Sequence, residues 1–599
     1  MKKKIKIALA SPKIRLCDPE YNVKMCIECA KEADSVGADV IVFPELVLTG
    51  ATCEDLFMQD VLLSKAEQAL ATYMSETSEL EVMSFVGLPV ALDYRIYNSV
   101  AVVSFGDILG VSASGLASRR PFSAISHKGG KINLAGKRVE IARDLVYTDE
   151  KTGAEIFVKV GDDDAFSRDY VNIILNPTSM AEYIGLAASR REFAKDVTEK
   201  LGLTFAICGA GEGESGTDGI FASPRLIASS GEIVAESELF DNEILYSEVE
   251  LSSFKKSKER ADRQNSLPTR FPFIPEDLKE RAQACDLALE IQARSLAGRV
   301  ERAYAKSLVI GVSGGLDSTL AVLVAAKAMD ILGRNRGEVL AITMPCFGTT
   351  ERTKSNALNL ARELGCSVRT IDIKAAVNQH FEDISHDSNK YDVVYENAQA
   401  RERTQILMDI ANAMGGLVVG TGDLSELALG FATYNGDHMS MYCVNGSVPK
   451  TLMRAIIAHY ADNAEKEGKH ELSRILTDVI NTPVSPELLP LEDGENRQHT
   501  ESIVGPYELH DFFLYYTVKF GYSPKKILSL AAGVFGEYKR EEIKGYLKIF
   551  FRRFISQQFK RSCLPDGPRV TEISLSPRVS WHMPSDAASK IWLESIEEE

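Results

Sequence analysis

The sequence predicts an α/β protein built from two layered domains. Three observations carry the prediction. At 599 residues the chain exceeds what one hydrophobic core holds. Residues 5–110 alternate short apolar runs with helix-period segments. The same rhythm starts again at residue 307, around the stretch Leu308-Val309-Ile310-Gly311-Val312-Ser313-Gly314-Gly315-Leu316-Asp317-Ser318-Thr319. An apolar run, a small-residue turn and a helix-compatible segment read as a buried parallel strand feeding a helix.

Taken in order, Ile5–Ala10 reads as a strand, Asn22–Val36 as an amphipathic helix and Val40–Phe43 as a second strand, a βαβ opening. Cys26 and Cys29 form a CxxC on that helix, but zinc needs a second pair and none is nearby, so they read as core. Phe43-Pro44-Glu45-Leu46 sets a carboxylate at the C-terminal end of a strand, where α/β folds keep their chemistry. Leu203–Ile207 is a later strand that runs into Cys208 and the Gly209–Asp218 loop. Phe254 to Pro275 is charged and proline-punctuated, which places the domains at 1–260 and 286–599 with a linker at 261–285. Glu276–Ala305 reads as a long helix entering the strand Ser307–Val312. Val339–Thr343, Thr353–Leu364 and Val368–Ile371 continue a doubly wound parallel sheet with ligands at its C-terminal strand ends.

Composition narrows the function. A formal charge of −17 argues against a nucleic-acid or membrane-surface binder. No apolar run reaches spanning length, and Ile5–Ala10 is too short for a signal core. Ten cysteines without regular spacing suggest free thiols and a cytoplasmic setting.

The Gly311–Ser318 loop offers backbone N–H groups and a helix start to an anion such as phosphate. It lacks the lysine of the common NTPase loop and carries Asp317 instead. A carboxylate beside phosphates makes sense with a divalent cation between them. S-G-G-x-D-S resembles the pyrophosphatase loop of adenylating synthetases of the adenine-nucleotide α-hydrolase-like fold, which cleave ATP to AMP and pyrophosphate.

The first domain resembles the nitrilase superfamily, an α/β sandwich whose glutaminase members pair a Glu base with a Lys and a Cys nucleophile. The resemblance rests on Phe43–Leu46, Gly87-Leu88-Pro89, Tyr97-Asn98, Ile108-Leu109-Gly110 and Gly211–Asp218. It makes Glu45 the base. The segment where the family's Lys belongs reads Ser112-Ala113-Ser114-Gly115-Leu116, and the Cys segment reads Ile156-Phe157-Val158-Lys159-Val160-Gly161-Asp162-Asp163-Asp164. Neither holds the expected residue. Cys53 and Cys208 are the alternatives for a relocated nucleophile. Without one, the domain is expected to be a silent glutaminase.

In the second domain, Glu396-Asn397-Ala398-Gln399-Ala400-Arg401, Gly420-Thr421-Gly422-Asp423-Leu424-Ser425-Glu426, Val448-Pro449-Lys450, Ser485-Pro486-Glu487-Leu488, Gly505–Asp511 and Lys560-Arg561-Ser562 follow the loop in order. The set resembles the NAD⁺ synthetases, and with the first domain their two-domain glutamine-dependent form. The resemblance implies ATP-dependent amidation of nicotinic acid adenine dinucleotide through an acyl-adenylate, with free ammonia as the nitrogen source here. It implies ATP binding by Gly311, Val312, Ser313, Gly314, Gly315, Leu316, Asp317, Ser318, Thr421, Lys450 and Ser485. It implies Mg²⁺ on Asp317 and Glu426, with Lys450 beside them in the catalytic set. The dinucleotide would meet Asn397, Arg401, Glu426, Phe431, Ala432, Thr433, Tyr434 and Lys560. A homo-oligomer, from a dimer of synthetase domains to an octamer, is also implied. A pyrophosphatase-loop tRNA-modifying enzyme is the competing reading, but it would want a basic face and a sulfur-relaying cysteine pair.

Overall fold

In a computed structural model describing residues 4–117, 120–126, 128–161, 171–251, 268–482, 488–489 and 504–597, the chain divides into two units. Residues 1–215 and 220–263 form the first; 216–219 and 264–599 form the second. The stretch read as a linker therefore includes the start of a helix, Leu278–Arg302.

The first unit is an α–β–β–α sandwich. Lys4–Leu9 pairs in parallel with Val40–Val42, as the βαβ opening requires, and antiparallel with Leu245–Glu250. They belong to an eight-stranded sheet that continues through Met83–Leu92, Arg95–Ser104, Asp107–Ala113, Lys137–Ala142 and Gly130–Leu134. A second sheet orders Glu232–Glu236, Arg225–Ser229, Thr204–Gly209, Ile173–Thr178, Ala154–Val158 and Val146–Asp149. The strand period of two explains the layers. Ile5, Ile7 and Leu9 turn inward and meet Ile156, Ile173, Leu175 and Ala206 of the second sheet. Ala8 and Ala10 turn outward to the helices Pro19–Ser35 and Asp60–Glu76, beside Cys26, Ala30 and Leu70. With both faces buried, these strands read as unbroken apolar runs. The helix Leu186–Leu201 covers the far face of the second sheet through Ala194 and Val197.

The second unit carries an all-parallel sheet in the order Ser367–Thr370, Val339–Thr343, Leu308–Gly311, Leu417–Gly420, Tyr442–Cys443. The order reverses between Leu308–Gly311 and Leu417–Gly420, so their C-terminal ends open the crevice where doubly wound sheets bind ligands. Val393–Met414 covers one face, with Ala398 and Ala411 against Val309, Ile342 and Val418. Leu316–Ile331 is buried on nearly every side, lying against Leu278–Arg302 and Lys450–Lys466. Aromatic-rich helices at Tyr507–Phe520, Pro524–Val534 and Arg540–Ser556 complete the unit. Among the described residues no helix is long and apolar enough to cross a membrane.

Candidate functional site

The loop after the central strand is shaped to bring backbone close to a ligand. Val312 N–H bonds Ile342 O at 2.9 Å, which fixes where the strand ends. Gly314 has φ +86°, and a Cβ there would lie 2.1 Å from Thr353 O, so only glycine fits. Ser318 Oγ accepts the Ser313 N–H at 3.3 Å and donates to Gly315 O at 3.3 Å, which holds the loop over the first turn of Leu316–Ile331. That sixteen-residue helix has no side-chain cap, so its first-turn N–H groups and dipole face the crevice.

Four charged side chains converge beside it. Asp317 comes from the first turn of this helix. Asp423 and Glu426 follow the neighbouring strand, at the cap and first turn of Leu424–Leu429. Lys450 opens the helix Lys450–Lys466. Its ammonium lies 2.5 Å from Asp317 Oδ1, 2.7 Å from Asp423 Oδ2 and 3.0 Å from Glu426 Oε1. Asp423 was not among the predicted ligands. Its Oδ1 accepts the Glu426 N–H at 2.9 Å, and its buried Oδ2 faces the ammonium without an aligned hydrogen bond. Asp423 is legible only as the helix cap its position in the motif predicts.

The electrostatics follow from burial. Desolvation pushes the Asp423 carboxyl well above the usual range against the pull of Lys450, and raises Glu426 to about 7. Burial works against the Lys450 ammonium too, but Asp317, Asp423 and Glu426 together outweigh it and hold its pKa well above the ordinary value. With all three carboxylates ionised, the ammonium would leave a formal charge of −2, which burial opposes by raising Asp423 and Glu426. Hard carboxylate oxygens within 4.8 Å of one another suit a hard divalent cation.

Buried partners hold this arrangement. Asp511 Oδ1 accepts from Ser425 Oγ at 2.5 Å, Asp511 Oδ2 accepts from Thr451 N at 3.0 Å, and Ser425 Oγ accepts the Lys450 N–H at 2.9 Å. Asn445 Nδ2 donates to Asp317 O at 3.0 Å and Thr421 O at 3.2 Å, tying the two strand-end loops together. No sequence signal marks Asn445 beyond its place in an apolar stretch.

The predicted dinucleotide residues also come together. Thr433 Oγ1 donates to Asn397 Oδ1 at 2.9 Å, and Arg401 Nε to Tyr434 O at 3.3 Å. Lys560 Nζ donates to Gly430 O at 2.7 Å and Ala432 O at 2.6 Å, and Arg553 lies over the Phe431 ring at 5.6 Å. Phe431 N–H bonds Glu426 O at 2.9 Å, so this cluster adjoins the carboxylates. Ser485 lies outside the described residues.

In the first unit, Glu45 is buried at the end of its strand. Oε2 accepts from Asn98 Nδ2 at 2.7 Å, and Oε1 accepts from Ser179 Oγ. Gly161 faces it: a Cβ there would lie 4.0 Å from Glu45 Oε2 and 3.4 Å from Ser114 Oγ. Lys159 is buried next to this point, its ammonium 2.8 Å from Gly161 O. Cys208 lies in the core between the sheets, its thiol directed at Ala10 O and Val42 O, and burial pushes it up to about 12. Cys53 packs with Leu46, Phe57 and Phe122, with its Sγ 3.3 Å from Cys17 Sγ; burial raises its pKa as well.

The carbon-nitrogen hydrolase family model matches residues 6–118, and the NAD synthase model matches residues 289–531. A glutamine-dependent NAD(+) synthetase of Mycobacterium leprae (strain TN) is 33% identical over 99% of this chain and 98% of that protein. The chain belongs to the glutamine-dependent NAD(+) synthetase family. The crystal structure of the synthetase from Cytophaga hutchinsonii has the same fold, with a TM-score of 0.79 at 19% identity, covering 99% of this chain and all of that one. The Acinetobacter baumannii synthetase, solved with adenosine diphosphate, gives a TM-score of 0.64 at 21% identity, covering 96% and 98%. Family membership makes the chain an NAD(+) synthetase, a carbon–nitrogen ligase that amidates its substrate with ATP.

Proposed function

We propose an NAD(+) synthetase fed by free ammonia, converting nicotinic acid adenine dinucleotide to NAD(+) with release of AMP and pyrophosphate. The observation that supports ammonia is Gly161, a residue without a side chain facing Glu45. A carboxamide yields to a thiolate through a covalent thioester, and a base alone does not replace that path.

In the second unit, the Gly311–Ser318 loop and the start of Leu316–Ile331 would receive the ATP phosphates, with Thr421, Lys450 and Ser485 completing the nucleotide site. Asn397, Arg401, Glu426, Phe431 to Tyr434 and Lys560 would position the dinucleotide. Its nicotinate carboxylate attacks the α-phosphorus and pyrophosphate leaves; ammonia then attacks the acyl carbon, AMP leaves, and a proton is lost from nitrogen. No protein nucleophile is needed, so catalysis rests on alignment and charge neutralisation. Asp317, Asp423 and Glu426 would hold Mg²⁺. When bound, the ion offsets charge developing on the pyrophosphate leaving group. We read the protein as cytoplasmic and self-associating, a dimer or larger, which sedimentation equilibrium tests.

The deciding experiment supplies ATP, Mg²⁺ and the deamido-dinucleotide to the full chain, with ammonium or with glutamine. NAD(+) and AMP should appear in equal amounts with ammonium. No AMP release from folded protein would overturn the synthetase reading; glutamate formed from glutamine would overturn the ammonia reading.

A further inference from the structure

Lys450 has the role of a phosphate ligand in the reading above, yet its geometry gives it another partner. An ammonium has three donors. Here three carboxylates stand 2.5, 2.7 and 3.0 Å from its nitrogen, on Asp317, Asp423 and Glu426. The residue is buried, its main-chain N–H is held by Ser425 Oγ, and the Tyr507 ring lies 5.6 Å from the nitrogen. A phosphate oxygen reaching this nitrogen would have to compete with three carboxylates already within 3.0 Å of it. The same three carboxylates are the ligands offered to the cation, and Mg²⁺ needs its oxygens at about 2.0–2.1 Å. An ammonium at 2.5–3.0 Å from one oxygen of each already stands among these carboxylates.

We propose that Lys450 and the divalent cation compete for the Asp317–Asp423–Glu426 nest, so that metal enters only as polyphosphate draws the ammonium out. The inference rests on the metal-site reading above and deepens it: Asp423 becomes the third carboxylate, and Lys450 enforces joint binding of metal and nucleotide. The exchange is short. The lysine stem is flexible, its helix backbone stays anchored through Ser425, and the receiving loop carries Asp317 itself. A dication then replaces a monocation among three carboxylates, while the ammonium meets phosphate charge.

The test is Mn²⁺ binding by the full chain, read from the EPR signal of free Mn²⁺, with and without α,β-methylene-ATP. Wild type should bind Mn²⁺ weakly alone and at least about tenfold more tightly with the analogue. K450M should bind it at least about tenfold more tightly than wild type without nucleotide, and gain much less from the analogue. K450Q, which keeps a polar tip in the nest, serves if K450M does not fold. Equal Mn²⁺ affinity in wild type and a folded Lys450 variant would overturn the competition while leaving the metal site standing. Absence of binding in every arm would overturn the metal-site reading and this inference together.

Discussion

A Cβ on Gly161 would lie 4.0 Å from Glu45 Oε2, so the first unit has a position for a side chain facing the Glu45 carboxylate and places glycine there. Glutamine should therefore give no glutamate, and NAD(+) yield should be the same with and without it. Cys53→Ala and Cys208→Ala should leave ammonium-supported turnover unchanged, since both thiols lie in packed cores and burial raises their pKa values. A glutaminase activity lost in either variant would identify a relocated nucleophile.

Supplying a thiol and an ammonium beside Glu45 should confer glutaminase-type chemistry. Gly161→Cys with Ser114→Lys should make the first unit react with an electrophilic glutamine analogue. The readout is a mass increase on the peptide that carries the introduced thiol, suppressed by glutamine. At φ +75° a non-glycine residue carries strain of about 1–2 kcal/mol, so the variant should melt slightly lower but fold. Intact protein showing no labelling would mean that Gly161 is not at the nucleophile position.

Asp317→Asn, Glu426→Gln and Asp423→Asn should each lower ammonium-dependent turnover by about a hundredfold or more, several kcal/mol of barrier, through loss of charge in the nest. Steady-state kinetics at varied Mg²⁺, beside melting curves, separate this from unfolding. Near-normal rates at low Mg²⁺ for Asp423→Asn would remove it from the ligand set.

Glu426 sets a pH dependence. Its carboxyl is raised to about 7 by burial, and metal binding needs it ionised. The Mg²⁺ concentration for half-maximal rate should climb about tenfold per pH unit below that value. Because the folded pKa lies above the unfolded one, its stabilising contribution is complete below the unfolded carboxyl pKa and is lost as pH rises through about 7. Glu426→Gln should accordingly stabilise the metal-free protein above neutrality and not in acid, as thermal melts across pH would show.

Asp511 acts through what it holds. It accepts from Ser425 and Thr451, and Ser425 in turn holds Lys450. Asp511→Asn should cost about 2 kcal/mol of stability and raise KM for ATP, because a buried carboxylate with several donors is replaced by one mismatched amide. A variant of unchanged stability and unchanged KM would show that the anchor is dispensable.

The two-layered α/β organisation was legible from the residues alone. Apolar strands such as Ile5–Ala10 and Ser307–Val312 are buried on both faces, and burial writes itself as composition. The tight turn at Gly311–Ser318 was legible too, because its geometry requires glycine and small hydroxyls at fixed spacing, whereas Asp317 and Glu426 were paired only through the resemblance to the synthetases. Which residues meet across elements was a matter of packing. Lys450 lies 133 residues from Asp317 yet donates its ammonium to that carboxylate. Asp423, a helix cap in the sequence, turns its second oxygen into the same nest. Gly161 could be matched to Glu45 only once strands from two different sheets stood side by side in space. Contacts of that kind depend on packing between distant segments, and no local period or propensity records them.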